Sequence, residues 1–463
     1  MTDTSLNPVF NAALLEKYDT FGPRYTSYPT AVQFTEAFTE NDYRQAVAQS
    51  NQDGKDLSLY FHIPFCESLC FYCACNKIIT HTKQRALPYL ERLHREIALQ
   101  ASLVDEKRQV SQLHLGGGTP TFLSDDQLSA LMAETAKHFT LAPEQDREFS
   151  IEIDPRAVRD NTIALLGELG FNRISFGVQD FNPKVQQAVN CLQSMEQTLA
   201  VIEAARKARY KSVSIDLIYG LPFQNTATFA ETLDSVIALG PERLAIYNYA
   251  HLPRRVKAQK LIREEDLPPA SAKLALLELI IGKLQDAGYE YIGMDHFALP
   301  TDELAVARDN GTLQRNFQGY STHADTDMIG MGITSIGKIA DSYCQNERYE
   351  HPWFEAIDND RFAVMKGYTL NDDDRLRREV IQQLMCLGIV DIPLVEKTFG
   401  VNFSDYFAEE LSSLKGMEAD QLVSVDERSI RVLPLGRLLM RNIAMVFDAY
   451  LRRAARQQFS RAI

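Results

Sequence analysis

Four of the seven cysteines in this 463-residue chain, Cys66, Cys70, Cys73 and Cys75, fall within the run LSLYFHIPFCESLCFYCACNK at 57–77. The first three are spaced C-x3-C-x2-C, which suits three thiolates gripping one metal cluster from a short loop. A cuboidal [4Fe–4S] cluster has four iron corners, so three cysteines leave one iron open to an outside ligand. An open iron beside a bound organic molecule points to catalysis more than to electron storage. Cys75 follows Cys73 after a single residue, a short reach for two corners of one cube, and reads as a nearby thiol with another role. The competing reading is a structural zinc site, because four-cysteine zinc loops also begin with a close pair. Zinc knuckles usually draw a second pair from farther along. Here Cys191, Cys344 and Cys386 are isolated. A disulfide is not expected, since nothing in the chain points to an oxidising compartment.

The elements that must position this loop follow a rhythm from 56 to about 300. Short β-branched or aromatic runs alternate with helical patterns: LSLYFHI (57–63), VSQLHLG (110–116), EFSIEID (148–154), RISFGV (173–178), SVSIDLIYG (212–220) and RLAIYNYA (243–250). Six βα repeats whose strands read as buried runs predict a parallel α/β fold. A closed eight-stranded barrel needs two more units, so six predict an incomplete (β/α)6 TIM-like barrel. Such folds carry chemistry at strand ends, and the polar motifs keep to that edge. The cysteine loop follows strand one. Gly116-Gly117-Gly118-Thr119 follows strand two, and Glu152 and Asp154 end strand three. Gln179 and Asp180 follow strand four, Asp216 lies in strand five, and Tyr249-Ala250-His251 ends strand six.

Three glycines make a tight turn in any case. After a strand they also let backbone amides approach a ligand's carboxylate and amine. Glu152 is either a barrel-lining carboxylate with a salt-bridge partner or a contact to a cofactor near the cysteine loop. Asp216 sits in an apolar run and must find donors; ribose hydroxyls are one answer and a structural Arg the other.

C-x3-C-x2-C after a strand-like LSLYFHIPF resembles the radical S-adenosylmethionine (SAM) enzymes. CESLCFYCAC, with its C-x-C ending, is similar to their oxygen-independent coproporphyrinogen III oxidase branch. So are GPRYTSYPT (22–30), HLGGGTPTF (114–122), IEIDPR (151–156), FGVQDFN (176–182), IDLIYGLP (215–222), YNYAHLP (247–253), GMDHFA (293–298) and RNFQGYSTHADTDMIGMG (315–332), in the family's order. The resemblance implies a [4Fe–4S] cluster on Cys66, Cys70 and Cys73, and two SAM molecules. The cluster-bound one would meet Tyr60, Gly117, Glu152 and Ile336. The second would meet Tyr72, Gly118, Thr119, Gln179, Asp216 and Ala250. Tyr60 and Cys75 are further candidates for a catalytic role. One departure stands out: after VQQAVN the family usually has Arg, and this chain has Cys191. Arg and Cys differ in charge and donor count, so a neighbouring cation would have to compensate.

The implied reaction is reductive cleavage of SAM to a 5′-deoxyadenosyl radical. Hydrogen abstraction from a propionate of coproporphyrinogen III and loss of CO2 follow, twice, to give protoporphyrinogen IX. A tetracarboxylate wants cations, and Arg24, Arg254 and Arg315 are the loop candidates. An electron donor of flavodoxin or ferredoxin type is the implied partner. Rival readings within the superfamily are a haem chaperone and a haem-modifying radical enzyme.

Composition is that of a globular protein, 45% hydrophobic and 24% charged,. A net charge of −14 argues against a general nucleic-acid surface,. No secretory signal and no membrane span are visible, so a cytoplasmic monomer is expected. The resemblance implies that residues 1–55 lie over the site; they read as a short helix in LNPVFNAALLEKYD and a second helix capped by Thr39 or Asn41. Residues 301–369, with Gln318-Gly319-Tyr320 and MIGMGITSIG, read as loop and short strand capping the barrel. Residues 370–463 read as a mainly α, winged-helix-like module. It runs from a helix capped by Asn371 through a hairpin in LVSVDERSIRVLP to one last helix, GRLLMRNIAMVFDAYLRRAAR,. Its mixed charge argues against DNA binding.

Overall fold

The structure is a computed structural model that describes residues 7–159, 161–323 and 326–453. Residues 1–6, 160, 324–325 and 454–463, which include the end of the expected last helix, lie outside them.

The six expected strands form: β1 Leu57–Ile63, β2 Gln109–Gly117, β3 Glu148–Ile153, β4 Arg173–Gln179, β5 Ser212–Tyr219 and β6 Arg243–Asn248. They lie side by side in that order and all run parallel. Strand side chains alternate between faces, and the two faces differ in chemistry. Leu59, Phe61, Leu113, Leu115, Phe149 and Ile151 are fully buried. They share one core with Leu90, Leu93 and Ile97 of the helix Leu87–Ala101 and with Leu128 and Leu131 of Asp125–His138. The opposite face carries Tyr60, His114, Ser150, Glu152 and Asp216, with Tyr60 opposite His114 and His114 opposite Ser150 in register. A sheet lined with polar groups on its concave side has room there for a ligand rather than for packed side chains.

Strands are added at both edges. Beyond β6 stand β7 Glu290–Gly293 and β8 His296–Ala298, antiparallel. A hairpin of β9 Gln314–Asn316 and β10 Gly319–Ser321 follows. The MIGMG segment supplies the short strand expected there, but inside the sheet rather than as a cap on the barrel. Asp327–Met331 is strand β11, parallel to β1 with Tyr60 opposite Gly330. After it come β12 Ile336–Ile339, β13 Ser342–Asn346 and β14 Val364–Thr369, antiparallel. The sheet path ends at β7 and β14 and does not close. Its register at β11 is pinned by a buried ion pair, Arg108 to Asp327 at 2.7 Å, with both side chains under 5% exposed. At the end away from the cysteine loop, the Gln112 amide donates to Glu148 at 2.9 Å and to the Ser321 hydroxyl at 2.6 Å, so the hairpin stoppers the barrel.

The C-terminal part has its own core, Leu376, Val380, Leu384, Phe403, Phe407 and Phe447, joined by Tyr25 and Tyr28 of the N-terminal segment. Asn371 caps the helix Asp372–Leu387 as expected, its side chain accepting from Asp374 N at 2.9 Å. Strands β15 Ile389–Asp391, β16 Val423–Val425 and β17 Ser429–Val432 make the small antiparallel wing. The expected single last helix is instead broken into Pro434–Leu439, Met440–Met445 and Ala449–Arg453. Asp448 causes the second break: its carboxylate accepts from Tyr450 N and Leu451 N at 2.9 and 3.1 Å, a cap in mid-sequence, and from the Tyr25 hydroxyl at 2.9 Å,. Thr39 caps the helix Glu40–Asp53 in a reciprocal box with Asp42. No helix among the described residues is long and apolar enough to cross a membrane.

Candidate active site

The cysteine loop leaves β1 and is stapled back at several points. Phe65 and Cys66 pair with Ile78 and Ile79, and Thr80 N donates to Cys66 O at 2.9 Å. His62 reaches Asn76 O at 3.0 Å, and Lys77 Nζ donates to Cys73 O at 2.8 Å. All seven cysteines are free. Among the described residues no three His, Cys, Asp or Glu side chains converge on a single-ion site. The three thiols differ electrostatically. Burial pushes Cys66 up to about 11. A hydrogen bond from Cys191, aided by the Arg156 guanidinium, brings Cys70 down to about 7. Hydrogen bonding from Cys75, helped by the Lys77 ammonium, brings Cys73 to about 6. Cys70 and Cys73 are thus shifted toward the thiolate, the form that binds metal,.

The glycine turn holds β2 against the loop. Gly117 has φ +116°, a left-handed value that suits glycine,. A methyl on Gly118 would stand 2.7 Å from the Pro64 carbonyl. The turn's N–H groups are already committed: Gly117 N donates to Glu152 Oε2 at 3.1 Å and Gly118 N to Ile63 O at 2.8 Å. This corrects the sequence expectation that these amides face a ligand, because the backbone approach spends them inside the chain.

Tyr60 stacks on His114, with centroids 5.8 Å apart and planes 12° apart, and its hydroxyl meets His62 Nδ1 at 3.1 Å. His114 bridges Ser150 at 2.6 Å and Glu152 at 3.3 Å. Desolvation would raise the Glu152 pKa, but His114 and the Gly117 N–H outweigh it and hold the carboxyl below its usual range. Its side chain still keeps 47% exposure toward the open interior. Asp216 faces the same space with no hydrogen bond or ion pair among the described residues, and burial plus the Glu152 charge push it up to about 8. Gln179, at φ +64°, is buried with its Oε1 unpartnered. The Gln259 amide donates to Tyr72 O at 3.0 Å and Ala250 O at 3.2 Å, tying those two expected contacts together. Thr119 reaches Cys66 Sγ at 3.6 Å. Ile336 opens β12, with its carbonyl 2.9 Å from where a Gly330 methyl would stand, beside the partner of Tyr60.

Arg24 and Arg315 meet at the unclosed side of the sheet. Arg24 pairs with Asp295 and lies over Tyr247, 5.5 Å from the ring centroid; Arg315 lies over Tyr320 at 4.7 Å. Arg315 is 9% exposed, and its Nε and Nη1 have no hydrogen-bond partner among the described residues. Arg441 joins them from the C-terminal part, donating to the Gly22 and Pro23 carbonyls. Burial, with repulsion from Arg24 and Arg315, lowers its pKa to about 10. Sequence reading missed it because nothing local to RLLMRNI marks it. Arg254, the third expected cation, stands exposed on the loop after β6. A cavity of about 500 Å3 adjoins the cluster of cations, lined by Arg24, Ala250, Lys273, Arg441 and apolar Leu274 and Leu277. The donor set fits an iron–sulfur cluster, and the unpartnered Gln179 and Asp216 oxygens fit the hydroxyls of a nucleoside.

Residues 60–236 match the radical SAM superfamily, and residues 370–439 match the HemN C-terminal domain. The chain is 49% identical over 454 residues to the oxygen-independent coproporphyrinogen III oxidase of Pseudomonas aeruginosa, covering 98% of this chain and 99% of that one. It is 48% identical to the Salmonella typhimurium enzyme of the same name, covering 98% of each. The solved structure of coproporphyrinogen III oxidase (HemN) from Escherichia coli, described as a radical SAM enzyme, superposes with a TM-score of 0.91 at 46% identity over 96% of this chain and all of that one. The chain belongs to the oxygen-independent coproporphyrinogen III oxidases of the radical SAM superfamily.

Proposed function

We propose that the chain converts two propionate side chains of coproporphyrinogen III to vinyl groups, giving protoporphyrinogen IX, without oxygen. The observation that carries this reading is the meeting, at one edge of an open barrel, of a three-cysteine loop, the unpartnered acceptors Gln179 and Asp216, and a buried group of cations. When bound, a reduced [4Fe–4S] cluster and SAM supply one-electron hydrogen abstraction.

The chain's own residues do the rest. Cys66, Cys70 and Cys73 hold the cluster. Glu152, kept ionised by His114 and Gly117, takes the ammonium of a first SAM, with Tyr60, Gly117 and Ile336 beside it. Gln179 and Asp216 accept from the ribose of a second SAM, whose site is completed by Tyr72, Gly118, Thr119 and Ala250. Cys191 offers that site no cation; Arg156, near Cys70 and locked by Asp154, is the neighbouring charge. Arg24, Arg315 and Arg441 hold propionates through charge-assisted bonds. Cys75, beside Cys73, and Tyr60, bonded to His62, are the candidates for a catalytic role. The division into residues 1–55, 56–300, 301–369 and 370–463 follows these roles. An oxygen-sensitive cluster and free thiols suit a cytoplasmic monomer fed by a flavodoxin or ferredoxin type donor.

Anaerobic incubation with coproporphyrinogen III, SAM and a reductant tests the reading. Vinyl product, CO2 and 5′-deoxyadenosine are expected together. Formation of 5′-deoxyadenosine without CO2 would overturn it, and tight haem binding without turnover would favour the chaperone.

A further inference from the structure

Cys191 is buried, 4% exposed, in an apolar group with Val185, Val189 and Leu221, against which Cys70 and Tyr72 pack. Two bonds lock its loop to the cysteine loop: Phe71 N donates to Val189 O at 2.9 Å, and the Asn190 amide donates to Leu69 O at 2.8 Å. The Cys191 side chain therefore stays in the apolar group against which Cys70 packs, with its thiol on that side of the Cys70 sulfur. The Tyr72 hydroxyl lies 3.9 Å from the sulfur of Cys191. Arg156 also reaches Cys70: Nη2 stands 3.9 Å from that sulfur, with the guanidinium fixed by Asp154 at 2.7 and 2.9 Å. Cys70 thus has one neutral and one charged donor group beside it. Cys66 receives the Thr119 hydroxyl at 3.6 Å. A buried cysteine that only fills space needs no polar neighbours; this one joins Tyr72 to Cys70.

We infer that Cys191 and Arg156 are positioning residues whose hydrogen bonds to the Cys70 sulfur raise the reduction potential of the cluster. This rests on the reading of Cys66, Cys70 and Cys73 as its ligands. One electron from a low-potential reductant enters the oxidised cluster. No bond to the protein forms or breaks, and the Cys191 proton stays on Cys191. The added charge is spread partly onto the cysteine sulfurs, where donors favour the reduced state over the oxidised one. A neutral thiol contributes without the cost of a second buried cation beside Arg156.

The test is an anaerobic redox titration of reconstituted full-length protein, followed by EPR, with iron content measured alongside. C191A is expected to keep its iron and titrate lower. A fall of about tenfold in the reduced fraction at fixed potential corresponds to about 59 mV for one electron. C191S retains a donor and is expected near wild type, and R156M shifts in the same direction as C191A. If C191A and C191S move together, or neither moves while R156M is also unchanged, the donor role is wrong. Iron loss in both Cys191 variants would make Cys191 a holder of the cluster and overturn it as well. Failure of the ligand reading looks different: C66S, C70S and C73S would then keep wild-type iron.

Discussion

Gly118→Ala is the substitution whose cost the structure states most directly. The added methyl would stand 2.7 Å from the carbon and oxygen of Pro64 and 2.8 Å from Phe65 O, against 3.4 Å for ordinary contact. All three atoms are backbone, so no side chain can swing aside. The two strand exits are also bonded, Gly118 N to Ile63 O and Thr119 N to Phe65 O, each at 2.8 Å. Relief needs a backbone shift of about 0.7 Å that stretches both bonds. Overpacking of this kind costs about 1–3 kcal/mol, and each strained bond puts about 1 kcal/mol at risk. Cys66 follows Phe65 directly, so the shift carries a cluster ligand with it. In urea unfolding of the apoprotein, G118A is expected to lose about 2–4 kcal/mol, and iron uptake on anaerobic reconstitution should fall. Gly282→Ala is the control: it lies within the helix Ala270–Asp286 with nothing within 4 Å of the new methyl. There alanine is expected to stabilise by about 0.5–1 kcal/mol. G118A with wild-type stability and full iron would refute the reasoning about this turn.

Asp216 is pushed up to about 8, so between the carboxylate range and pH 8 the folded state holds a proton that the unfolded state releases,. Stability contributed by this group falls as pH rises through that window. D216N should melt with less pH dependence from pH 5 to 9 and exceed wild type at the alkaline end. Replacing Arg108 by Met leaves Asp327 buried and uncompensated, and should cost about 3–5 kcal/mol in urea,. Arg315→Met should raise the KM for coproporphyrinogen III while iron content stays full, whereas Arg254→Ala, out on its exposed loop, should leave KM unchanged.

Local pattern reveals the βα units well, because each strand is a buried run bounded by turn residues and several of the helices carry a capping residue at their start, as Thr39 and Asn371 do. The place of strand β11 in the sheet is obscured because Gly330 within it and Gly332 just after it have the look of a turn; only the partner strand β1 shows where it belongs. The last helix breaks where Asp448 finds Tyr25 and nearby N–H groups, and the first of these contacts spans over four hundred residues. The same holds at the site. Cysteine spacing and strand-end acids are visible in order along the chain. Arg441 and Gln259 become site residues only through long-range packing, and their one-letter neighbourhoods carry no mark of it. The glycine turn was placed correctly, but which of its backbone groups remained available could be seen only once Glu152 and Ile63 had taken the amides.

Mössbauer spectroscopy of 57Fe-reconstituted, oxygen-free protein with and without SAM tests the central claim most directly. The account predicts a [4Fe–4S] cluster in which one iron is distinct from the other three and changes its signature when SAM is added. No such cluster, or one whose spectrum is indifferent to SAM, would contradict it.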